Sequence, residues 1–401
     1  MTAGAASRLP GVLFIVNSLG TGGAEKQVVT VLNHLDPRRF RLHLAYLKRD
    51  EKLLGELQRE RLAGLVCGEV ARRIDGRALR LLRELIDGAG IDAVVCTNPY
   101  STLYGQLARY GSRAAPKLIA VFHTTLPRNI RERAEMLLYR HVFNRSDLLV
   151  YVCEGQRDYW RRKGIRPPAD EVIYNGIDTD YYTDRRTEDE RFAFRRSLGL
   201  ADEDYVIGLC SVFRPEKAHG DLLDAVSMLR SRGVRAKALL IGDGVERGTI
   251  ERTVSRLGLE AHVLITGLRE DVRPFIGACD VMTLVSHSVE SFSLAALESM
   301  SLGKPMILSD VGGARELVTH GEQGFIFSPG DIPALAGYLQ DLTSPSRREE
   351  FGRAAALRVR ERFTVGGMSE RFADCIEGLL EDSAPSLSSA HDEHARPHRI
   401  A

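Results

Sequence analysis

Apolar residues in this chain gather into short, nearly continuous blocks, each followed by a turn and then by a segment whose apolar positions recur every three to four residues. The first block, GVLFIVNSL at residues 11–19, predicts a buried strand. GTGGAEK then makes a glycine turn, and QVVTVLNHL reads as a helix that ends before Pro37. FRLHLAYL, IDAVVCTN, PKLIAVFH and SDLLVYVC continue the strands, with helical stretches such as ALRLLRELIDGAG between them. Alternation of this kind predicts a parallel sheet covered by helices on both faces.

A polar segment over about residues 182–204 interrupts the pattern, and a second series opens at YVIGLCSV. It runs on through AKALLIGDG, HVLITG, CDVMTLVS, KPMILSD and GFIFSP. The chain therefore predicts two Rossmann-like, doubly wound α/β domains with a ligand cleft between the carboxyl ends of their strands. We place the first at residues 1–185 and the second at 186–365. A helix over 366–383 is expected to return to the first domain. Residues 384–401 carry no apolar period and predict a disordered tail.

Composition narrows the class. A chain of 401 residues, 44% hydrophobic and 27% charged, is large enough for two globular cores. Its six cysteines (67, 96, 153, 210, 279 and 375) form no C-x-x-C pair, which argues against a disulfide framework or structural zinc and for a reducing cytoplasm. No apolar run approaches a membrane span, and residues 1–10 lack the apolar centre of a signal peptide.

A formal net charge of +1 hides an asymmetry. Residues 1–185 hold 29 Lys+Arg against 21 Asp+Glu, and the remainder holds 26 against 33. The basic first half suits an anionic partner, a phosphorylated acceptor or a lipid surface, rather than nucleic acid. Unevenly solvated faces are the plainer reading. Within that half, residues 127–145 (PRNIRERAEMLLYRHVFNR) set Arg128, Arg131, Arg133, Arg140 and Arg145 around Ile130, Met136, Leu137, Leu138, Tyr139 and Phe143. This basic amphipathic pattern predicts peripheral contact with an anionic membrane. A helix packed on its own sheet is the alternative.

The glycine turns separate several chemistries. Gly20, Gly22 and Gly23 are followed by Glu25 where the third glycine of G-x-G-x-x-G belongs, so a dinucleotide fingerprint is disfavoured. IGDGVERGT lacks the G-K-[ST] of a P-loop. What remains is a loop without Cβ atoms leading into a helix N-terminus, a place for a phosphate. GGARE at 312–316 repeats the arrangement. Asp178 and Asp180 form a D-x-D pair, but after the Asn-Gly turn of EVIYNG they read as a turn rather than a metal site. No metal and no cofactor are expected.

HSVESFSLAALESM at 287–300 sets Glu290 and Glu298 eight positions apart among small and apolar residues. A helix from Ser291 onward would put Glu290 at its mouth and Glu298 about two turns further in. Phe292, Leu294, Ala295, Ala296 and Leu297 bury such a helix, and Ser291 and Ser293 leave first-turn N–H groups open to an anion.

The combination of GTGGAE, YNGID, FRPEKAHGDLLDA, LIGDG, E-x7-E in ESFSLAALE, and GKPMILSDVGGARELV resembles family four of the retaining glycosyltransferases, with the GT-B fold, over about residues 11–378. Within the family the chain is similar to bacterial transferases of exopolysaccharide, capsule and lipopolysaccharide assembly. Serines 291 and 293 stand where many members carry glycine, a departure that bears on sugar preference more than on class.

The resemblance implies a nucleoside-diphosphate sugar donor, UDP in preference to GDP, and a glycan or lipid-linked acceptor. It places Glu290 near the transferred sugar, Glu298 on the ribose hydroxyls, Arg214 and Lys217 on the diphosphate, and His123 close to the donor sugar. Gly22, Gly23, Gly242, Gly267, Ser291, Phe292, Ser293 and Leu294 complete the implied nucleotide-sugar contacts. A carboxylate accepts well from two vicinal hydroxyls, and fixed cations with helix N-termini stabilise a departing diphosphate without metal. Retention is expected by front-face attack, with the departing phosphate taking the acceptor's proton, so no protein nucleophile is assigned.

Three rivals share parts of this pattern. A sugar-nucleotide epimerase would alter its nucleotide sugar with no acceptor present. A dinucleotide-dependent oxidoreductase would show bound cofactor absorbance. A noncatalytic sensor would bind donor and never turn it over.

Overall fold

The computed structural model describes residues 8–124, 130–288 and 290–381. The expected tail at 384–401 lies outside them. The first half alternates β1 (Gly11–Val16), α1 (Gly23–His34), β2 (Arg41–Tyr46), β3 (Leu62–Cys67), α2 (Gly76–Gly88), β4 (Ile91–Thr97) and α3 (Asn98–Tyr110). It continues with β5 (Lys117–Phe122), α4 (Ile130–Phe143), β6 (Leu148–Tyr151), α5 (Glu154–Arg162) and β7 (Ala169–Val172). After α6 (Glu188–Ser197) come β8 (Tyr205–Cys210), α7 (His219–Ser231), β9 (Ala236–Ile241), α8 (Arg247–Arg256), β10 (Val263–Ile265), α9 (Arg273–Ala278) and β11 (Val281–Leu284). The chain closes with α10 (Leu294–Ser301), β12 (Met306–Ser309), α11 (Ala314–Leu317), β13 (Gly324–Phe327), α12 (Ile332–Asp341), α13 (Pro345–Arg362) and α14 (Val365–Glu381).

The strands form two sheets, ordered β3-β2-β1-β4-β5-β6-β7 and β10-β9-β8-β11-β12-β13, with every pairing parallel. Parallel strands roofed by helices on both faces are apolar on both faces, and all six residues of β1 are buried. Each sheet is accordingly packed by one cluster per face, Val12, Phe14 and Val28 on one side of the first and Leu13, Ile15 and Phe122 on the other. The order reverses beside β1 and beside β8, so each domain has a switch point there, flanked by β4 and β11 respectively.

β3 was missed in the sequence: LAGLVC is a short apolar run broken by Gly64 and, at the sheet edge, only partly buried. The polar segment after residue 182 is not featureless. Thr187 and Glu190 build a reciprocal capping box that starts α6, which docks through Phe194 on Phe275 of α9, ring centres 5.3 Å apart.

Past α13 the chain crosses back beside residue 177, where Ile177 N–H donates to the Phe363 carbonyl and Val365 N–H to the Ile177 carbonyl. In α14, Val365, Met368, Phe372, Ala373 and Ile376 join the core formed by Val12, Phe14, Val28 and Leu32. Arg39 fastens its outer face through Glu370 and Glu377, at 2.8 and 2.7 Å.

α4 divides the residues of the basic amphipathic pattern. Phe143 is fully buried against Phe122 and Tyr139 is 8% exposed, so these belong to the first domain's own core. Leu137 and Leu138 stay 63% and 54% exposed. Arg128 and the side chains of Ile130, Arg131 and Arg133 lie outside the described residues. Among those described, no helix is long and apolar enough to cross a membrane.

Candidate active site

Open parallel sheets bind ligands beyond the carboxyl ends of the strands at the switch point, and here two such points face one another. The loops after β1, β4 and β5 supply Gly22, Gly23, Asn98 and His123, and those after β8 and β11 supply Arg214, Lys217 and residues 290–293. Together with Leu294 they line one cleft of about 670 Å³. α1 starts at the cleft with no side-chain cap from Gly22, and the Glu25 carboxylate of its first turn takes a backbone N–H there.

Lys217 Nζ donates to Glu290 Oε2 at 2.5 Å, and Ser286 Oγ donates to the same oxygen at 3.1 Å. Lys217 ends the single turn Pro215–Lys217, and Ala218 follows it in the left-handed region at φ 49°. That kink starts α7 while aiming the ammonium at the cleft. Arg214 is exposed on the same loop.

The helix expected from Ser291 begins instead at Leu294, because the preceding carbonyls are taken by other partners. Gly313 N–H donates to the Ser291 carbonyl at 2.7 Å, and Asn175 Nδ2 donates to the Phe292 carbonyl at 2.8 Å. Ser293 is then the cap, its Oγ accepting from Ala296 N–H at 3.3 Å. The Phe292 ring is turned away from the ligand space, buried against Tyr174 and Phe363 at 5.0 and 5.1 Å. Gly312 underlies this loop. It holds φ +60°, and a Cβ there would overlap the Glu290 carbonyl oxygen. The GGARE turn thus supports the Glu290 loop from beneath.

His123 ties the domains together. Its carbonyl accepts from Ser291 Oγ at 2.6 Å, and its N–H donates to Asn98 Oδ1 at 3.2 Å. Burial pushes the imidazole pKa down to about 4, so the ring is neutral near pH 7.

Three expected contacts are not cleft-lining. Glu298 is 6% exposed, with Oε1 accepting from Lys26 Nζ at 3.1 Å and from the Tyr182 hydroxyl at 2.8 Å. Gly242 and Gly267 pair with each other across the ends of β9 and β10. A Cβ on Gly242 would overlap the Ser211 carbonyl, so packing explains that glycine. Asp178 Oδ1 caps a turn by accepting from the N–H groups of Asp180 and Tyr181, which is the geometry of a turn.

Sequence reading missed Lys26, Tyr182, Asn98 and Asn175, whose partners lie far along the chain. It also missed Glu316, whose carboxylate accepts from the first two N–H groups of α5 in the other domain, at 2.8 and 2.9 Å. GGARE contains Glu316, but nothing local names its partner.

The first half of the chain matches the model of Glycosyltransferase Family 4 over residues 21–181, and the second that of Glycosyl transferases group 1 over 190–358. N-acetyl-alpha-D-glucosaminyl L-malate synthase of Bacillus anthracis is 31% identical over 219 residues, 54% of this chain and 55% of that protein. The chain thus spans about half the length of this relative. Putative glycosyltransferase EpsD of Bacillus subtilis is 26% identical over 306 residues, 73% of this chain and 79% of that protein. In fold, HepE of Anabaena in complex with UDP superposes with a TM-score of 0.80 at 23% identity, covering 92% of this chain and all of that one. Sucrose-phosphate synthase from Thermosynechococcus elongatus gives 0.80 at 18%, over 93% and 100%. Since the two family matches between them take in more than four-fifths of the residues and the fold superposes on both of these solved structures with a TM-score of 0.80, the chain belongs to the family 4 glycosyltransferases.

Proposed function

We propose that this enzyme is a retaining, metal-independent hexosyltransferase that moves a sugar from a nucleoside-diphosphate sugar to a glycan or lipid-linked acceptor. Its setting is bacterial surface polysaccharide assembly, at the inner face of the cytoplasmic membrane. The observation that carries the reading is the Lys217–Glu290 pair, 2.5 Å apart, with exposed Arg214 on the same loop and the start of α1 in the same cleft. Two cations and a helix N-terminus are the equipment for a diphosphate whose charge grows as the glycosidic bond breaks. Uridine is favoured over guanosine because HepE was solved with UDP and with UDP-glucose.

In this reading Lys217 and Arg214 hold the diphosphate, Glu290 and the neutral His123 position the sugar, and Glu298 keeps Oε2 for the ribose. The departing phosphate oxygen accepts the acceptor's proton as the new bond forms on the same face.

Screening UDP-, GDP- and ADP-sugars by thermal shift in EDTA tests the donor. Stabilisation by a UDP-sugar is expected, with transfer then giving a product of unchanged anomeric configuration. Turnover that EDTA abolishes and Mg²⁺ restores would overturn metal independence. Conversion of the nucleotide sugar without acceptor would make the enzyme an epimerase.

A further inference from the structure

We propose that a basic groove on the first domain, formed by Lys48, Arg72, Arg73 and Tyr100, binds a phosphoryl group carried by the acceptor. The inference rests on the transferase reading and adds the chemical class of the second substrate.

The groove encloses about 640 Å³ beyond the ends of β2 and β3. It shares Glu135 and Tyr139 with a neighbouring cavity of about 270 Å³, and that cavity shares Asn98 and Thr124 with the donor cleft. The donor cleft, this cavity and the groove are therefore neighbours on the first domain, and a molecule spanning them would present one end to the donor sugar and the other to the cations.

Charge selects the ligand. Lys48, Arg72 and Arg73 are all exposed. Glu135 is the one carboxylate among the lining residues, and it stands 4.0 Å from Arg73. Lys48 Nζ lies 5.5 Å from the centre of the Tyr100 ring. The Tyr100 hydroxyl donates to the Arg72 and Arg73 carbonyls at 3.3 and 3.0 Å, so α3 fixes the loop that carries both guanidinium groups. Planar guanidinium groups beside an ammonium suit a phosphate's several acceptor oxygens. A neutral sugar alone would leave the net positive charge of this lining, three cations against Glu135, unanswered. Asn98, which lines both the middle cavity and the donor cleft, holds the left-handed region at φ 72°, and such conformations gather at ligand sites.

The phosphate has two possible sources, a soluble sugar phosphate or a lipid headgroup. Exposed Ile74 and Leu138 follow or adjoin lining residues in sequence, so both sources are tested.

Trp160 is the single tryptophan of the chain and lines the middle cavity, its Nε1 donating to the Thr124 carbonyl at 2.8 Å. Its fluorescence in the full chain reports occupancy. Hexose 6-phosphate should change the emission saturably where the uncharged hexose does not. Arg72→Ala with Lys48→Ala should weaken that response at least about 10-fold, as for a lost charge-assisted contact. Arg72→Lys should keep part of it. Vesicles of phosphatidylglycerol and of phosphatidylcholine form the lipid arm. Retention on the first alone, lost in the double variant, assigns the phosphate to a headgroup, whereas a response to hexose 6-phosphate alone assigns it to a soluble acceptor. If neither probe binds, or binding survives the double variant unchanged, the proposal is wrong. UDP-sugar binding is measured on the same proteins: its loss in the wild type counts against the donor reading, independently of the groove, and its persistence in the double variant shows that the fold is intact.

Discussion

Lys26 on α1 of the first domain donates to Glu298 on α10 of the second, 3.1 Å from Nζ to Oε1, and the Tyr182 hydroxyl between the domains reaches the same oxygen at 2.8 Å. Burial alone would lower the Lys26 pKa, but the Glu298 carboxylate raises it, so the ammonium stays charged. The second glutamate of E-x7-E is therefore held by both domains and by the segment that joins them.

This predicts coupling between Lys26 and nucleotide binding. Glu298→Ala should weaken free nucleoside diphosphate binding by about 1.5–3 kcal/mol, the loss expected for hydrogen bonds to a charged group. Lys26→Met should weaken it less. The double variant should fall short of the sum, since Lys26 acts through Glu298. Calorimetric titration of the four proteins decides the matter, and strict additivity would mean that the two residues act separately.

Gly312 offers a test of how the Glu290 loop is supported. Gly312→Ala brings strain at φ +60° and an overlap with the Glu290 carbonyl. Gly321→Ala brings strain alone, at φ +87° with open space around the new Cβ. Both should lose about 1 kcal/mol or more of stability. Turnover should drop only in the first. Equal turnover in the two variants would show that the GGARE turn does not position Glu290.

What the sequence made legible follows from the physics of parallel sheets. Strands such as β1, buried on both faces, stand out as apolar blocks, and the glycine turn after β1 marks the first domain's switch point, whereas the loops after β8 and β11 at the second carry no glycine. The edge strand β3, short and only partly buried, does not stand out. The start of α10 was misjudged because the partners that take the Ser291 and Phe292 carbonyls, Gly313 and Asn175, are distant in sequence. Glu298 looked like an open ligand for the same reason: Lys26 lies 272 positions away and Tyr182 lies 116. Gly242 of LIGDG is required by backbone packing against Ser211, while Gly267 holds φ +73° with room around it.

His123 should make the protein sensitive to acid. Its folded pKa, pushed down by burial to about 4, lies below the ordinary value of about 6.5, so between these values the unfolded chain binds more protons. Stability should then fall as the pH drops from 6.5 towards 4. His219, also brought to about 4 by burial, adds to the effect. His123→Asn should flatten the dependence without abolishing it. Urea midpoints at pH 7 and pH 5 provide the check, and an unchanged difference between them would mean that His123 is not buried as a neutral ring.

Lys217 carries the sharpest expectation. Its ammonium sits 2.5 Å from Glu290 Oε2, so in the proposed role it answers charge on a diphosphate while holding the carboxylate assigned to the sugar. The charge on the leaving group rises toward the transition state, and removing the cation should lower turnover more than donor affinity. Lys217→Ala should cost on the order of 10²–10³ in rate, as for other preorganised electrostatic contacts. Lys217→Arg should recover little, because a planar fork does not reproduce a compact ammonium on the same oxygen. If Arg214 works with Lys217 as a unit, the double alanine variant will be scarcely worse than either single one. The pairing adds a further consequence: without Lys217, Glu290 becomes an uncompensated anion beside the diphosphate, so Glu290→Gln in the Lys217→Ala background should restore part of the donor affinity while leaving turnover low. Initial rates and donor affinities for this set settle the assignment. A Lys217→Ala enzyme that keeps more than about a third of wild-type turnover would return Lys217 to the role of a solvated loop cation paired with Glu290, since the loss expected of a diphosphate contact is far larger.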